Sequence, residues 1–108
     1  MTSSNFTAVT RTENMVGKAL SCHVVAGVAL VICRFKDQFY ALENRCSHAL
    51  STFEEGRLRG YSLICPKHGA SFDIRNGAVQ SLPAKLPVRS FPLRIVDGVI
   101  EVDVSGAG

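Results

Sequence analysis

Residues 46–69 read CSHALSTFEEGRLRGYSLICPKHG, and this stretch decides how the rest of the chain is interpreted. It contains two Cys-plus-His pairs: Cys46 and His48 in the spacing C-x-H, and Cys65 and His68 in the spacing C-x-x-H. Two thiolate sulfurs and two imidazole nitrogens on short, turn-rich loops form a four-ligand set for a metal. We therefore predict that these four residues hold a metal centre.

The ligand types narrow the choice of metal without settling it. Thiolates favour zinc, copper(I) and iron–sulfur clusters, and imidazole suits zinc, copper and iron, so zinc and an iron–sulfur centre both stay open. Structural zinc sites more often pair Cys with Cys and His with His, whereas each loop of this chain carries one of each. If each loop binds through one sulfur and one nitrogen, two irons are ligated unequally, as in the Rieske variant of the 2Fe-2S cluster.

The two motifs, Cys46-Ser47-His48 and Cys65-Pro66-Lys67-His68-Gly69, resemble those of the Rieske-type ferredoxins that serve bacterial oxygenases. The similarity runs from residue 17 to residue 102 and includes FYAL before the first motif and FD and NG after the second. It implies a Rieske-type 2Fe-2S cluster as the cofactor. It also implies an all-β Rieske domain of antiparallel sheets and hairpins, with both ligand loops at one tip.

The pattern along the chain agrees with an all-β fold. Runs rich in Val, Ile, Leu and aromatic residues are separated by short turn signals, which predicts hairpins rather than helices. We place turns at Ala26-Gly27, Lys36-Asp37, Arg59-Gly60, Asn76-Gly77 and Asp97-Gly98. Three prolines between residues 82 and 92 exclude a helix there and suit an extended crossing segment.

The length of 108 residues suits a single domain, residues 1–108. By resemblance, about residues 44–84 would form a cluster-binding part inserted in a basal β domain. A hydrophobic content of 46% with 19% charged residues excludes a disordered chain. The net charge of +3 is too small and dispersed for nucleic-acid binding, and no apolar run is long enough for a membrane span.

The beginning of the chain has no basic segment followed by an apolar core, so we expect no signal peptide and a cytoplasmic location. That reducing compartment agrees with the cysteines, because two of the four belong to the metal motif. Cys22, His23 and Cys33 lie inside predicted strands. We expect the two cysteines to pack in the core and His23 to face solvent or a hydrogen-bonding partner.

The resemblance also implies a function. The chain would be a soluble, monomeric one-electron carrier and not an enzyme. It would take electrons from an NAD(P)H-dependent flavoprotein reductase and deliver them to the terminal oxygenase of a multicomponent aromatic-ring dioxygenase. Electrons would pass through His48 and His68, and partners would dock on a tip that includes Leu50, Lys67 and Pro83. Two alternatives stay open: a small Rieske subunit of assimilatory nitrite reductase, and a zinc-stabilised interaction module.

Some residues depart from the high-potential branch of the family. Ser51 and Lys67 occupy the positions where that branch has a disulfide between its loops, and Ala70 and Phe72 replace a Ser and a Tyr that donate hydrogen bonds to the cluster. Fewer hydrogen bonds stabilise the added electron less, so we expect a low reduction potential within the Rieske range.

Overall fold

The computed structural model describes residues 5–45, 52–67, 69–81 and 86–105. In these ranges the chain forms antiparallel β-strands, one short 3-10 helix and no α-helix. The predicted all-β fold of antiparallel sheets is confirmed. The strands are β1 (Phe6–Arg11), β2 (Leu20–Val25), β3 (Val28–Phe35), β4 (Gln38–Glu43), β5 (Arg57–Arg59), β6 (Ser62–Ile64), β7 (Ser71–Asp73), β8 (Ser90–Phe91), β9 (Leu93–Val96) and β10 (Val99–Asp103).

The strands form three sheets. The first has the order β1-β10-β9, the second β2-β3-β4-β8, and the third β5-β6-β7. Most neighbours in the sheets are consecutive in the chain. The exceptions are β1, which pairs with β10, and β8, which returns to the edge of the second sheet beside β4.

Two-residue turns connect the consecutive strands of the first two sheets. Residues Ala26 and Gly27 both have positive φ, 50° and 78°, and so do Lys36 and Asp37, at 53° and 59°. Positive φ at both central positions is typical of the type I′ turn, whose twist matches that of the strands it joins. The predicted turns at these two places are confirmed, and so is the turn at Asp97-Gly98.

The hairpin of the third sheet turns one residue later than predicted. The register pairs Arg59 with Ser62, so the turn residues are Gly60 and Tyr61. This register places Leu58 opposite Leu63, and Leu63 is fully buried. Burial of Leu63 therefore selects the register, as expected for a strand with one face in a core.

Strand β3 lies between two hydrophobic cores. Successive side chains of a strand point to opposite faces, and those of β3 alternate between the two clusters. Val31 and Cys33 belong to the first core, which also contains the buried residues of the third sheet; Leu30 and Ile32 belong to the second, with residues of β10. The first core is the one that supports the predicted metal site.

The pattern of the sequence did not predict the 3-10 helix, Thr12–Met15. It is a single turn with one buried residue, Met15, which is too short to show a helical period. No helix in the described ranges has the length and apolar character that crossing a membrane requires.

Candidate metal centre

Cys65 lies at the start of the second ligand loop, directly after β6. It is 1% exposed. Its backbone N–H donates a hydrogen bond to the carbonyl of Ala70 at 2.7 Å, and the N–H of Gly69 donates one to the carbonyl of Cys65 at 3.2 Å. These two bonds close a tight loop between β6 and β7. The backbone thus holds the thiol of Cys65 at a fixed position beside the first core.

Three of the described residues of this loop face solvent. Pro66, Lys67 and Gly69 are exposed. Gly69 has φ of +77°, in the left-handed region where a side chain is disfavoured, so glycine suits this position. The exposed ammonium of Lys67 agrees with its predicted place on a docking surface.

Several predicted site residues lie outside the described residues. They are the ligands Cys46, His48 and His68 and the docking residues Leu50 and Pro83. Among the four predicted ligands, Cys65 alone falls in the ranges that the structure describes, and those ranges contain no cluster of three or more Cys, His, Asp or Glu side chains. The ligand and docking assignments therefore stay predictions.

A hydrogen bond to a side chain connects the described residues on the two sides of the first ligand loop. The sequence motifs did not predict it. The Oδ1 atom of Asn44 accepts a buried hydrogen bond from the backbone N–H of Phe53 at 2.7 Å. Asn44 directly follows β4 and is 7% exposed. A sequence signal for it exists, because Asn at a strand end tends to bond nearby backbone, but its partner lies nine residues on.

Phe53 and Gly56 pack the chain that follows the first ligand loop against the second. The ring of Phe53 meets that of Phe72, on β7, edge to face. A Cβ atom at Gly56 would lie 2.6 Å from the carbonyl oxygen of Ile64, the residue before Cys65, so only glycine permits this approach. The two segments that carry the predicted ligands therefore share one packed base.

Ala70 and Phe72 are fully buried in the same core as Cys65. Neither side chain has a hydrogen-bond donor, so neither contributes one to the site. This agrees with the expectation of a low reduction potential. Any hydrogen bonds from these two residues to a cofactor would have to come from their backbone.

The other titratable residues of the β2–β3 hairpin behave as packing residues. Burial, with a smaller contribution from Cys22, raises the pKa of the Cys33 thiol to about 12, so it is inert. The pKa of Cys22 is also raised, first by burial and then by the charge of Glu54, and a hydrogen bond with Asn44 opposes the shift. His23 exchanges a hydrogen bond with Ser21, and burial lowers its pKa. The packing prediction for the cysteines and the hydrogen-bonded position of His23 are confirmed.

At the end of β7, Asp73 binds Arg75 through two hydrogen bonds from the guanidinium group, of 3.0 and 2.8 Å, and one from the backbone N–H of Arg75, of 2.9 Å. The guanidinium also stacks on the ring of Tyr61, 4.1 Å from its centroid. The bond from the Arg75 side chain is the main cause of the lowered pKa of Asp73. This ion pair fixes the turn that follows β7.

The described part of the site fits an iron–sulfur cofactor. A buried thiol on a tight loop beside an apolar core suits a thiolate ligand screened from water. The full predicted set of two Cys and two His matches the donor chemistry of a Rieske-type cluster.

Comparison with known proteins agrees with this reading. The family model of the Rieske [2Fe-2S] domain matches residues 5–92. The ferredoxin subunit of anthranilate 1,2-dioxygenase from Burkholderia cepacia is 39% identical over 75 residues, 69% of each chain. Among solved structures, the ferredoxin of carbazole 1,9a-dioxygenase from Nocardioides aromaticivorans IC177 has a TM-score of 0.87 at 30% identity, over 92% of this chain and 97% of its own.

A second solved structure is a complex of reduced oxygenase and oxidized ferredoxin in carbazole 1,9a-dioxygenase. The matched chain has a TM-score of 0.84 at 29% identity, and the match covers 94% of each chain. The similarity to Rieske-type ferredoxins predicted from the two Cys-plus-His motifs is confirmed.

Proposed function

The chain belongs to the Rieske [2Fe-2S] domain family, and we propose that it carries electrons from an NAD(P)H-dependent flavoprotein reductase to the terminal oxygenase of an aromatic-ring dioxygenase. Its cofactor is a Rieske-type 2Fe-2S cluster and not zinc, and it is an electron carrier rather than an enzyme. When bound, the cluster supplies one-electron exchange. The observation that carries the proposal is the match, over 94% of each chain, to a structure described as a complex of oxygenase and ferredoxin.

The proposed ligands are Cys46 and Cys65 for one iron and His48 and His68 for the other. Support comes from the buried thiol of Cys65 and from the two hydrogen bonds that close its loop. We assign about residues 44–84 to the cluster-binding part, since the third sheet, with β5, β6 and β7, falls inside this range. The remaining strands form the basal part.

The proposed docking surface is the tip formed by the two ligand loops, with Leu50, Lys67 and Pro83. The exposure of Lys67, which precedes the predicted ligand His68 in the sequence, supports a positive charge on this surface. A small tip with an apolar centre and a charge at its rim suits a short-lived encounter with each partner. On this proposal the chain acts as a monomer in the cytoplasm.

Reconstitution of electron transfer tests the function. The purified red-brown protein is mixed anaerobically with an NADH-dependent ferredoxin reductase, and then with the oxygenase of a carbazole or anthranilate dioxygenase. We expect stopped-flow absorbance to show reduction by the reductase and reoxidation by the oxygenase. The proposed partners would be wrong if the cluster-containing protein were neither reduced by the reductase nor reoxidised by the oxygenase faster than in a mixture without the partner. Iron and acid-labile sulfide in the same sample would still establish the cofactor.

A further inference from the structure

Asn44 is a buried polar residue that makes two hydrogen bonds to backbone groups. Its own N–H donates to the carbonyl of Ala29 at 2.9 Å, which fixes its backbone to the start of β3. Its Oδ1 atom accepts from the N–H of Phe53 at 2.7 Å. The side chain therefore joins the two residues that flank residues 45–52 in the chain.

The Phe53 end of this bond is as firmly held as the Asn44 end. The carbonyl of Phe53 accepts a hydrogen bond from the N–H of Gly56 at 2.8 Å, and its ring is fully buried against Phe72, at a centroid distance of 5.6 Å. The bond thus links two rigid parts of the fold. It is not a contact between two mobile loops.

The surroundings of Asn44 explain why a polar group is present. Burying an amide is unfavourable unless its hydrogen bonds are made, and an apolar residue of the same size would fill this space at lower cost. The amide oxygen of Asn44 has the N–H of Phe53 as its partner, and this bond offsets the cost of burying it. A polar side chain at this buried position is therefore explained by its bond to the backbone of Phe53.

We propose that Asn44 is a positioning residue for the cluster, because it fixes the separation between the ends of the loop that carries Cys46 and His48. The inference rests on the proposed assignment of those two residues as ligands. A loop whose ends are already closed loses less conformational entropy when its side chains bind metal. Asn44 therefore favours retention of the cluster and a single placement of the two ligands, without touching it.

Two substitutions of similar size separate this role from packing. Asn44→Asp keeps the acceptor oxygen for the N–H of Phe53, whereas Asn44→Leu fills the space and removes the acceptor. If Asn44 only packs, Leu is the better tolerated residue, because it buries no polar group. If the acceptor positions the loop, Asp is the better tolerated one.

The measurements are the rate of iron release to a chelator, the g values of the reduced cluster in electron paramagnetic resonance, and hydrogen exchange of the peptide around Phe53. We expect Asn44→Leu to release iron about tenfold faster, as loss of a buried acceptor would predict, with shifted g values and faster exchange. Asn44→Asp should stay within about twofold of wild type. Val102→Ala, in the second core, is the matched control: it should lower stability and leave the g values unchanged.

Wild-type iron release and g values in Asn44→Leu, or equal losses in Asp and Leu, would overturn the inference. If Asn44→Leu does not assemble a cluster, the result for Asn44→Asp is used by itself. Full iron content in Asn44→Asp supports the positioning role, and Asn44→Asp without iron refutes it. Failure of the ligand assignment shows differently, since Cys46→Ser would then keep its iron and sulfide.

Discussion

The rings of Phe53 and Phe72 meet edge to face, with centroids 5.6 Å apart and an interplanar angle of 81°. Phe53 follows the first ligand loop and Phe72 lies on β7 after the second, so this contact joins the bases of both loops. Both rings are fully buried. Edge-to-face pairs contribute stability beyond the area that they bury.

Removing one ring should weaken both the fold and the site. Phe53→Ala should lower the free energy of unfolding by about 3–5 kcal/mol, because it leaves a cavity in the first core. Phe53→Leu should lower it less. The midpoint of guanidinium unfolding measures the change, and Val24→Ala, at a side chain that is 73% exposed, is the control. A midpoint for Phe53→Ala equal to that of the control would show that the core refills the space.

Loss of the Cys65 thiolate should abolish assembly of the native cluster. Ligand bonds couple metal binding to folding of the loop, so Cys65→Ser should be purified with less than about a tenth of the wild-type iron and sulfide. Cys33→Ser is the matched control, because Cys33 is a buried thiol of the same core outside the motif. It should keep its colour. Full iron and sulfide in Cys65→Ser would mean that this residue is not a ligand.

Adding hydroxyl groups near Cys65 should raise the reduction potential. In Ala70→Ser with Phe72→Tyr, each hydroxyl could donate a bond worth about 1 kcal/mol, which is on the order of 40 mV for a one-electron couple. Protein-film voltammetry measures the potential. The control is Phe91→Tyr, the same change in the second core. An unchanged potential in the double variant would show that the absence of hydroxyl groups at these two positions does not determine the potential.

Reversing the charge of Lys67 should slow electron transfer in a salt-dependent way. We expect Lys67→Glu to reduce the bimolecular rate with a partner about tenfold at low ionic strength, and less at high salt. Its spectrum and potential should stay close to wild type. Lys36→Glu is the control, since Lys36 is exposed in the β3–β4 turn, where its ammonium contacts the ring of Phe35. Equal stopped-flow rates for the two variants would place docking elsewhere.

Protonation of Asp73 should lower stability at acid pH. Arg75 lowers the pKa of Asp73 in the folded chain, so its contribution is complete above the unfolded value of about 3.9 and is lost as pH falls through the lower folded value. The difference in unfolding free energy between wild type and Asp73→Asn should therefore shrink as pH falls from 6 to about 3. Asp37→Asn, in the exposed pair with Arg34, is the control. If the difference in unfolding free energy did not change with pH, the ion pair would not be its cause.

The elements that could be predicted from sequence depend on local chemistry. Ala26-Gly27 and Lys36-Asp37 each separate two predicted strands by two residues, and both form the expected turns. The turn at Gly60-Tyr61 was displaced by one residue, because its register is selected by burial of Leu63 and not by the turn residues. Cys65 is predicted as a ligand from its spacing to His68, and that assignment stays a prediction.

The parts that sequence reasoning missed depend on contacts that a linear pattern does not contain. The bond between Asn44 and Phe53 depends on where the chain returns after a loop. Gly56 looked like an ordinary loop glycine, and its reason is the carbonyl of Ile64 on a neighbouring strand. Such pairs become visible once β5 and β6 are placed against the chain that precedes them.

The pairing of β1 with β10 affects how the protein can be fused to another domain or immobilised on a surface. Phe6 lies opposite Asp103 in the register, so the polypeptide enters and leaves the first sheet at neighbouring points. A tag, a fused domain or an electrode tether joined beyond either of these residues would start from the same place on the molecule. The choice between attachment on the Phe6 side and on the Asp103 side would therefore change the orientation of the protein in a surface-bound film very little.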